Sequence, residues 1–128
     1  MFHITHIDHI VLTTQNLQRS LDFYQNILNM QLDSSNNRFA LKFGNQKINI
    51  HQQKGEFQPA ALAPTYGSLD LCFIVEDIAQ VKSEIEAKNY PIELGIVERT
   101  GATSKLQSIY LRDPDGNLIE LASKVKDA

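Results

Sequence analysis

HIVLTTQNL, residues 9–17, aligns without gaps with DLCFIVEDI, residues 70–78. Each stretch combines a short run rich in β-branched and apolar residues with a polar residue suited to cap a helix. The identity between the two is slight, but the pattern around them recurs in the same order. The chain is therefore predicted to contain two copies of one small unit of strands and a helix.

Each unit is predicted to have the element order βαβββ. After the first strand, Leu17, Leu21 and Tyr24 recur at the spacing of one helical face and predict a helix over residues 17–28. In the second unit, Asp77 is suited to cap the corresponding helix. The other segments are short, alternate between apolar and polar residues and are separated by turn residues. The strands are expected at residues 6–13, 31–34, 38–43, 46–52, 69–75, 92–99, 106–112 and 117–123.

The predicted fold class is α+β, a mixed sheet with the helices on its outer side. The first unit is expected over about residues 5–53 and the second over about residues 69–123, joined by a Pro- and Gly-containing connection at 54–68. Each helix covers one face of its sheet, so the other faces must pack against each other or against a second chain, and would enclose a cavity. The two units together are expected to form a single domain over residues 1–128. The alternative is an unrelated α+β sandwich with the same element order.

The composition excludes several classes of function. The 128 residues carry 12 Lys and Arg against 15 Asp and Glu, a net charge of −3 without a basic stripe, so no nucleic-acid partner is expected. No segment approaches the ~18–20 apolar residues of a membrane span, and the N-terminus lacks the features of an export signal. We therefore expect a cytoplasmic protein without membrane contact. The single Cys72 cannot form an intrachain disulfide and is expected to be buried.

Four polar residues interrupt strands that are otherwise apolar: His9, His51, Asp70 and Glu120. In the predicted repeat they occupy equivalent positions, at the start of the first strand and in the last strand of each unit. Burial of such groups without partners costs on the order of several kcal/mol each, and a divalent cation would compensate them. Two imidazoles and two carboxylates suit one divalent transition metal, Mn, Fe, Co, Ni or Zn, better than Ca²⁺ or Mg²⁺. The alternative for each residue alone is a hydrogen-bonded position in the wall or edge of a sheet.

Several longer motifs cover most of the chain. They are DHIVLTT (8–14), NLQRSLDFYQNILNM (16–30), FGNQKINIHQ (43–52), PTYGSLDLCFIV (64–75), ERTGA (98–102) and, the most specific, IYLRDPDGNLIELA (109–122). Together they resemble the vicinal oxygen chelate superfamily, the group of glyoxalases, fosfomycin- and bleomycin-resistance proteins and extradiol dioxygenases. Within this superfamily the resemblance is greatest to the short proteins called glyoxalase domain-containing protein 5.

The resemblance implies paired βαβββ modules that form a cup-shaped sheet with one divalent metal at its floor, in a homodimer. It places metal ligands at His9, Asp70 and Glu120, and it places His51 at the fourth position used by glyoxalase I. The ligand order here is His, His, Asp, Glu, whereas bacterial glyoxalase I has His, Glu, His, Glu. The implied substrate is a small molecule that offers two adjacent oxygens to the metal while a carboxylate moves a proton. Glu120 is expected to be this catalytic carboxylate, with Asp70 second.

Three further residues are candidates for substrate binding: Arg99 in ERTGA, Tyr110 and Arg112. An arginine near the metal can fix a substrate carboxylate or phosphate through two parallel hydrogen bonds. For Arg112 the alternative is an ion pair with the carboxylates of the turn that follows it.

The expected function is that of a metal-dependent lyase or isomerase of the glyoxalase type. One alternative is a metal-free protein that sequesters a small molecule, as bleomycin-resistance relatives do. The other is an extradiol-type dioxygenase, in which His9, His51 and one carboxylate would form a two-histidine, one-carboxylate iron site. Metal content separates the metal-free alternative from the other two, and the identity of the metal separates lyase from oxygenase chemistry.

Overall fold

The computed structural model describes residues 1–126 and divides the chain into two compact units, residues 1–67 and residues from 68 onward. Each unit has the predicted order βαβββ, with four strands hydrogen-bonded into one mixed sheet, so the α+β class is confirmed. The first unit contains β1 (His9–Thr13), α1 (Leu17–Asp22), β2 (Gln31–Ser35), β3 (Arg38–Phe43) and β4 (Gln46–His51). The second unit contains β5 (Asp70–Ile74), α2 (Ile78–Ala87), β6 (Leu94–Thr100), β7 (Lys105–Arg112) and β8 (Leu118–Lys124).

In the first unit the strand order is β1-β4-β3-β2, with β1 parallel to β4 and the other neighbours antiparallel. Alternation of side chains along the strands sends Leu12, Leu41 and Ile48 to one face, where all three are fully buried. A buried hydrogen bond of 2.6 Å between the hydroxyls of Thr14 and Ser20 joins the end of β1 to α1. The opposite face of the sheet carries the polar strand residues of this unit.

The helix of the first unit differs from the single α-helix expected over residues 17–28. Asn16 caps it as predicted, because its side chain accepts a backbone N–H of the first turn at 3.0 Å. After α1, however, the chain continues as a π-helical turn at Phe23–Ile27. The wider turn of a π-helix brings consecutive side chains closer to one face. Phe23 and Tyr24 are accordingly both buried, with ring centroids 4.8 Å apart.

In the second unit the strand order is β5-β8-β7-β6, and β5 is parallel to β8. Ile109, Leu111 and Ile119 are fully buried on one face, and α2 packs over β7 and β8 with Ile85 buried. Asp77 caps α2 as predicted, accepting a backbone N–H of the first turn at 3.2 Å. Within the described residues, neither helix is long and apolar enough to span a membrane.

The first strand is shorter than predicted, because β1 begins at His9 and not at residue 6. Its strand neighbour β4 begins at Gln46, one residue before the partner of His9, so the residues before Asp8 have no strand to pair with. At this end the backbone N–H of Lys47 donates to the carbonyl of Asp8 at 3.3 Å, and the Gln46 side chain donates to the carbonyl of Ile7 at 2.9 Å. The β-branched residues before His9 favour a strand in the sequence, but the sheet of the first unit does not extend to them.

Cys72 is exposed, which corrects the expectation that it is buried. Apolar residues occupy both faces of β5, so the run LDLCFIV hides the alternation of the strand. Cys72 and Ile74 lie on the face opposite the buried core, and Ile74 is 52% exposed. An apolar run therefore did not by itself indicate burial here.

Candidate functional site

The face of each sheet opposite its buried apolar side chains is here called the open face. In the first unit β1 and β4 run parallel, with His9 opposite Lys47 and Thr13 opposite His51. Residues opposite each other point to the same face, and alternate residues along a strand share it. His9, Lys47, Asn49 and His51 therefore all lie on the open face of the first sheet.

His9 is the first residue of β1, and its side chain is 45% exposed. Its Nδ1 donates a hydrogen bond of 2.8 Å to a carboxylate oxygen of Asp8. This hydrogen bond lowers the pKa of Asp8 below its usual value, and it selects the tautomer that leaves Nε2 of His9 as the acceptor. Metal-binding histidines usually have such a carboxylate partner on their other nitrogen. Asp8 was missing from the predicted site, and its position directly before His9 was the available signal.

His51 lies at the other end of the same strand pair. The register offsets it from His9 by four residues, which is about 13 Å along strands that rise ~3.3 Å per residue. This unit therefore does not bring the two imidazoles together. The ring of His51 instead packs edge-on against Phe57 of the connection, with ring centroids 5.0 Å apart.

The registers also correct the expected equivalence of the four ligand candidates. In the second unit, Cys72 lies opposite Glu120. In the first unit, Val11 lies opposite Asn49. Because β1 and β5 begin at equivalent residues, the counterpart of Glu120 is Asn49, two residues before His51. The sequence carries no motif that aligns the last strands of the two units, so Asn49 was missed.

Asp70 and Glu120 share the open face of the second sheet. Asp70 lies opposite Leu118, so Glu120 is its diagonal neighbour, at about 8 Å between Cα atoms. Glu120 is half-buried and accepts a hydrogen bond of 2.7 Å from the Ser108 hydroxyl, whereas Asp70 is exposed. Two carboxylates at this separation can contact one cation. Ser108 was also missed, and its only signal was a small polar residue within the apolar strand LQSIYL.

The turn before β8 fixes this register. The buried Asp113 carboxylate accepts the backbone N–H of Asn117 at 2.9 Å and the Asn117 side-chain amide at 2.7 Å. The Asn117 side-chain oxygen accepts the backbone N–H of Leu69 at 2.8 Å. Since Leu69 directly precedes β5 and Asn117 directly precedes β8, this contact sets where both strands begin. The DPDGN motif thus determines which residues of the two strands lie opposite each other.

A β-bulge in β6 determines the direction of Arg99. The pairing of β6 with β7 shifts between Gly95 and Val97, so Ile96 is an extra residue in the strand. Each added residue inverts the alternation of all residues after it. With the bulge, Arg99 lies on the same face as Glu120, and without it Arg99 would lie on the opposite face.

Two of the predicted substrate-binding residues lie together beside Glu120. Nε of Arg99 donates a hydrogen bond of 2.9 Å to the phenol oxygen of Tyr110, and the guanidinium carbon is 5.4 Å from the ring centre. Tyr110 lies directly opposite Glu120 in the sheet. An open pocket of about 500 Å³ within this unit is lined by Glu120, by Arg99 and Thr100 of β6 and by loop residues 101–104, among others.

Arg112, the third predicted substrate-binding residue, is engaged by protein groups. Its Nε and Nη2 donate to the two carboxylate oxygens of Glu93 at 3.1 and 3.3 Å, and its Nη1 donates to the carbonyl of Gly116 at 3.2 Å. The hydrogen bonds to Glu93 raise the pKa of the guanidinium above its usual value. Arg112 therefore forms an ion pair within the protein, but the carboxylate seen is Glu93, which lies before β6 and not in the turn where the partner was expected.

The environment of Cys72 predicts an unreactive thiol in the metal-free protein. Although Cys72 is exposed by surface area, desolvation by the surrounding protein atoms, together with the neighbouring Glu120 carboxylate, raises the pKa of its thiol to about 11. Since only the thiolate is alkylated, iodoacetamide should react slowly at about pH 8 and faster up to about pH 11. Alkylation rates measured by mass spectrometry across this range test the prediction. Glu120→Gln should shift the midpoint to lower pH, and a wild-type midpoint near the ordinary thiol value of 9.0 would contradict the expected environment.

The donor set of each unit is compatible with a metal ion but incomplete. Within either unit, residues 1–126 contain no group of three or more His, Cys, Asp or Glu side chains that could hold a metal. The first unit offers the oriented Nε2 of His9, and the second offers the carboxylates of Asp70 and Glu120. Nitrogen and oxygen donors of this kind are accepted by divalent transition metals.

The sequence profile of the Glyoxalase/Bleomycin resistance protein/Dioxygenase superfamily matches residues 6–121. The chain belongs to this superfamily. Virulence protein STM3117 of Salmonella typhimurium is 51% identical over 124 residues, which cover 95% of this chain and 86% of that protein. The crystal structure of STM3117 superposes with a TM-score of 0.93 at 49% identity, covering 97% of this chain and 100% of the other.

A second superfamily relative is glyoxalase domain-containing protein RDO1 of Mycosarcoma maydis, 44% identical over 118 residues, which cover 91% of this chain and 67% of RDO1. The superfamily membership predicted from the motifs is thus confirmed. The finer resemblance to glyoxalase domain-containing protein 5 is not shown, because the relative at 51% identity is Virulence protein STM3117.

Two more distant solved structures show the fold alone. Lactoylglutathione lyase from Agrobacterium tumefaciens has a TM-score of 0.73 at 21% identity, with 94% of both chains covered. TnmS3, an antibiotic binding protein from Streptomyces, has a TM-score of 0.75 at 16% identity, with 98% of this chain and 100% of TnmS3 covered. One fold therefore accommodates both a lyase and a binding protein.

Proposed function

We propose that this protein is a metal-dependent enzyme of the glyoxalase type, a lyase or isomerase, in which His9, Asp70 and Glu120 bind one divalent transition metal. The metal would be Mn, Fe, Co, Ni or Zn, and the substrate a small molecule with two adjacent oxygens. The observation that carries the proposal is the position of Glu120, which is hydrogen-bonded by Ser108 and borders a pocket lined by Arg99. A half-buried carboxylate beside a pocket is suited to proton transfer. The fold shared with a lactoylglutathione lyase is consistent with this class.

The roles of the residues follow from their contacts. When bound, the metal would supply Lewis-acid stabilisation of a substrate oxyanion. Glu120 would take a proton from the substrate and return it to a neighbouring atom, with its Oε2 held by the Ser108 hydroxyl. Arg99, oriented by Tyr110, would bind a substrate carboxylate or phosphate. Asp70 would add the second negative charge that balances the cation.

His51 has less support as a fourth ligand than the other three residues. His51 lies four residues further along the strand pair than His9, about 13 Å away, and this distance is too long for both imidazoles of one unit to bind the same ion easily. The iron site of an extradiol-type dioxygenase, with His9, His51 and one carboxylate, has less support for the same reason. Within residues 1–126 neither unit alone supplies the complete ligand set, so the metal content of the protein decides the proposal.

Metal content tests this proposal directly. Elemental analysis of tag-free wild-type protein is expected to find close to one equivalent of Mn, Fe, Co, Ni or Zn per chain. In the His9→Ala variant, the metal content is expected to be at least about tenfold lower. His6→Ala is the matched control, because His6 is an exposed imidazole of the same segment that is hydrogen-bonded to Thr5. Wild-type protein without metal, even after incubation with all five ions, would overturn the proposal.

A metal-free small-molecule-binding protein is the second candidate. It is favoured by the finding that neither unit, over residues 1–126, gathers three metal-binding side chains. The fold is also shared with TnmS3, an antibiotic binding protein. Absence of metal in the same measurement would favour this second function.

A further inference from the structure

A separate pocket lies within the first unit. It has a volume of about 190 Å³ and is lined by residues of β2, β3 and β4 together with Phe57 of the connection. The lining side chains that carry nitrogen donors include Arg38, Lys47, Asn49 and His51. Nothing in the proposed metal chemistry uses Arg38, Lys47 or Asn49.

Within the described residues, the side chains of Arg38, Lys47, Asn49 and His51 have no hydrogen-bond acceptor. Within residues 1–126, neither Arg38 nor Lys47 has a carboxylate within 4.0 Å. Within the same residues, the side chains of Asn49 and His51 also make no hydrogen bond to another protein group. The acidic lining residue Asp33 is already paired, at 3.3 Å, with a lysine outside the pocket lining. The pocket thus presents the positive charges of Arg38 and Lys47 and the polar side chains of Asn49 and His51 to whatever enters it. Lys47 also interacts electrostatically with Asp8, but at more than 4.0 Å.

Phe57 holds the Arg38 side chain in place. The guanidinium carbon lies 4.0 Å from the centre of the Phe57 ring, and His51 contacts the same ring edge-on. A guanidinium stacked on an aromatic ring keeps its N–H groups in the guanidinium plane available to an acceptor. The ring therefore orients a charged donor that would otherwise be a flexible surface side chain.

We infer that this pocket binds the oxyanion group, a carboxylate or a phosphate, of a small organic molecule. The planar guanidinium of Arg38 matches two oxygens of such a group, and Lys47 adds a second positive charge. Asn49 and His51 can complete the hydrogen bonds of the remaining lone pairs. A volume of about 190 Å³ is enough for the anionic group, and the pocket is open to solvent, where the rest of a ligand can extend.

The test uses the full chain after removal of metal with EDTA, so that its result does not depend on the proposed metal site. Phenyl phosphate, benzoate and inorganic phosphate are titrated into ¹⁵N-labelled protein, and backbone amide shifts are followed by NMR. We expect saturable shifts at residues 38, 47, 49, 51 and 57, with at least one organic anion binding more tightly than inorganic phosphate. Arg38→Gln should weaken this binding at least about tenfold.

Arg19→Gln is the matched control, because it removes one exposed arginine of the same unit, on α1. The Arg19→Gln substitution should change the anion affinity by less than about twofold, because dissolved salt screens the charge of a distant surface residue. No saturable shift, or equal weakening by both substitutions, would overturn the inference. Equal affinity for inorganic phosphate and the organic anions would show a site for free ions and would overturn it as well. Arg38→Gln should leave the metal content unchanged, so failure here and failure of the proposed function are separate results.

Discussion

Replacing Glu120 by glutamine is expected to lower the affinity for a divalent transition metal by about 100-fold. The glutamine amide keeps the shape of the side chain and an oxygen that can accept a hydrogen bond from the Ser108 hydroxyl. It removes one of the two proposed carboxylate charges. A neutral amide is a weaker ligand than a carboxylate for a cation of charge +2. The expected loss corresponds to about 2.8 kcal/mol of binding free energy.

Glu98→Gln is the control for this substitution. Glu98 lies on β6 of the same unit and pairs with Lys105 at 3.2 Å on an exposed surface. Its removal should leave metal affinity unchanged and cost at most about 1 kcal/mol of stability. Isothermal titration with Mn²⁺ and Zn²⁺ gives the affinities, and thermal unfolding of the metal-free variants shows whether they are folded. Wild-type affinity in a folded Glu120→Gln variant would remove Glu120 from the ligand set.

The fold could be predicted from the sequence because its signals are local. The helical spacing after Asn16, the alternation of the short strands and the turn residues between them each depend on neighbouring residues alone. The two cap residues, Asn16 and Asp77, were both identified, since a capping side chain bonds a backbone group only two or three residues away. The repeat then ordered these elements into two units.

The direction of the site residues could not be predicted, because it depends on pairing between distant strands. Asn49 takes the position opposite β1 that Glu120 takes opposite β5, and only the hydrogen-bond registers distinguish it from His51. Arg99 reaches the face of Glu120 because one extra residue is inserted into β6. No periodicity in the sequence predicts this extra residue in β6. Candidate residues can therefore be named from the sequence, whereas the hydrogen-bond register of the strands is needed to say which of them lie together on one face of a sheet.

The bulge that directs Arg99 depends on Gly95, and Gly95→Ala is expected to destabilise the protein by about 3 kcal/mol or more. A Cβ atom at this position would lie 2.6 Å from Cγ2 and 2.8 Å from Cα of Ile109. A change of rotamer cannot relieve the second contact, because Cα belongs to the backbone of β7. The φ angle of Gly95 is also +143°, which side-chain-bearing residues rarely adopt.

Gly44→Ala separates these two causes. Gly44 also has a positive φ, +51°, but a Cβ there would meet no atom within 4 Å, so only the backbone cost of about 1 kcal/mol is expected. Urea unfolding of both variants measures the difference. Equal destabilisation would mean that backbone conformation alone accounts for glycine at position 95. A Gly95→Ala variant as stable as the wild type would mean that β6 can pair with β7 without this close approach. In that case the bulge would not be held by Ile109, and the direction of Arg99 would need another cause.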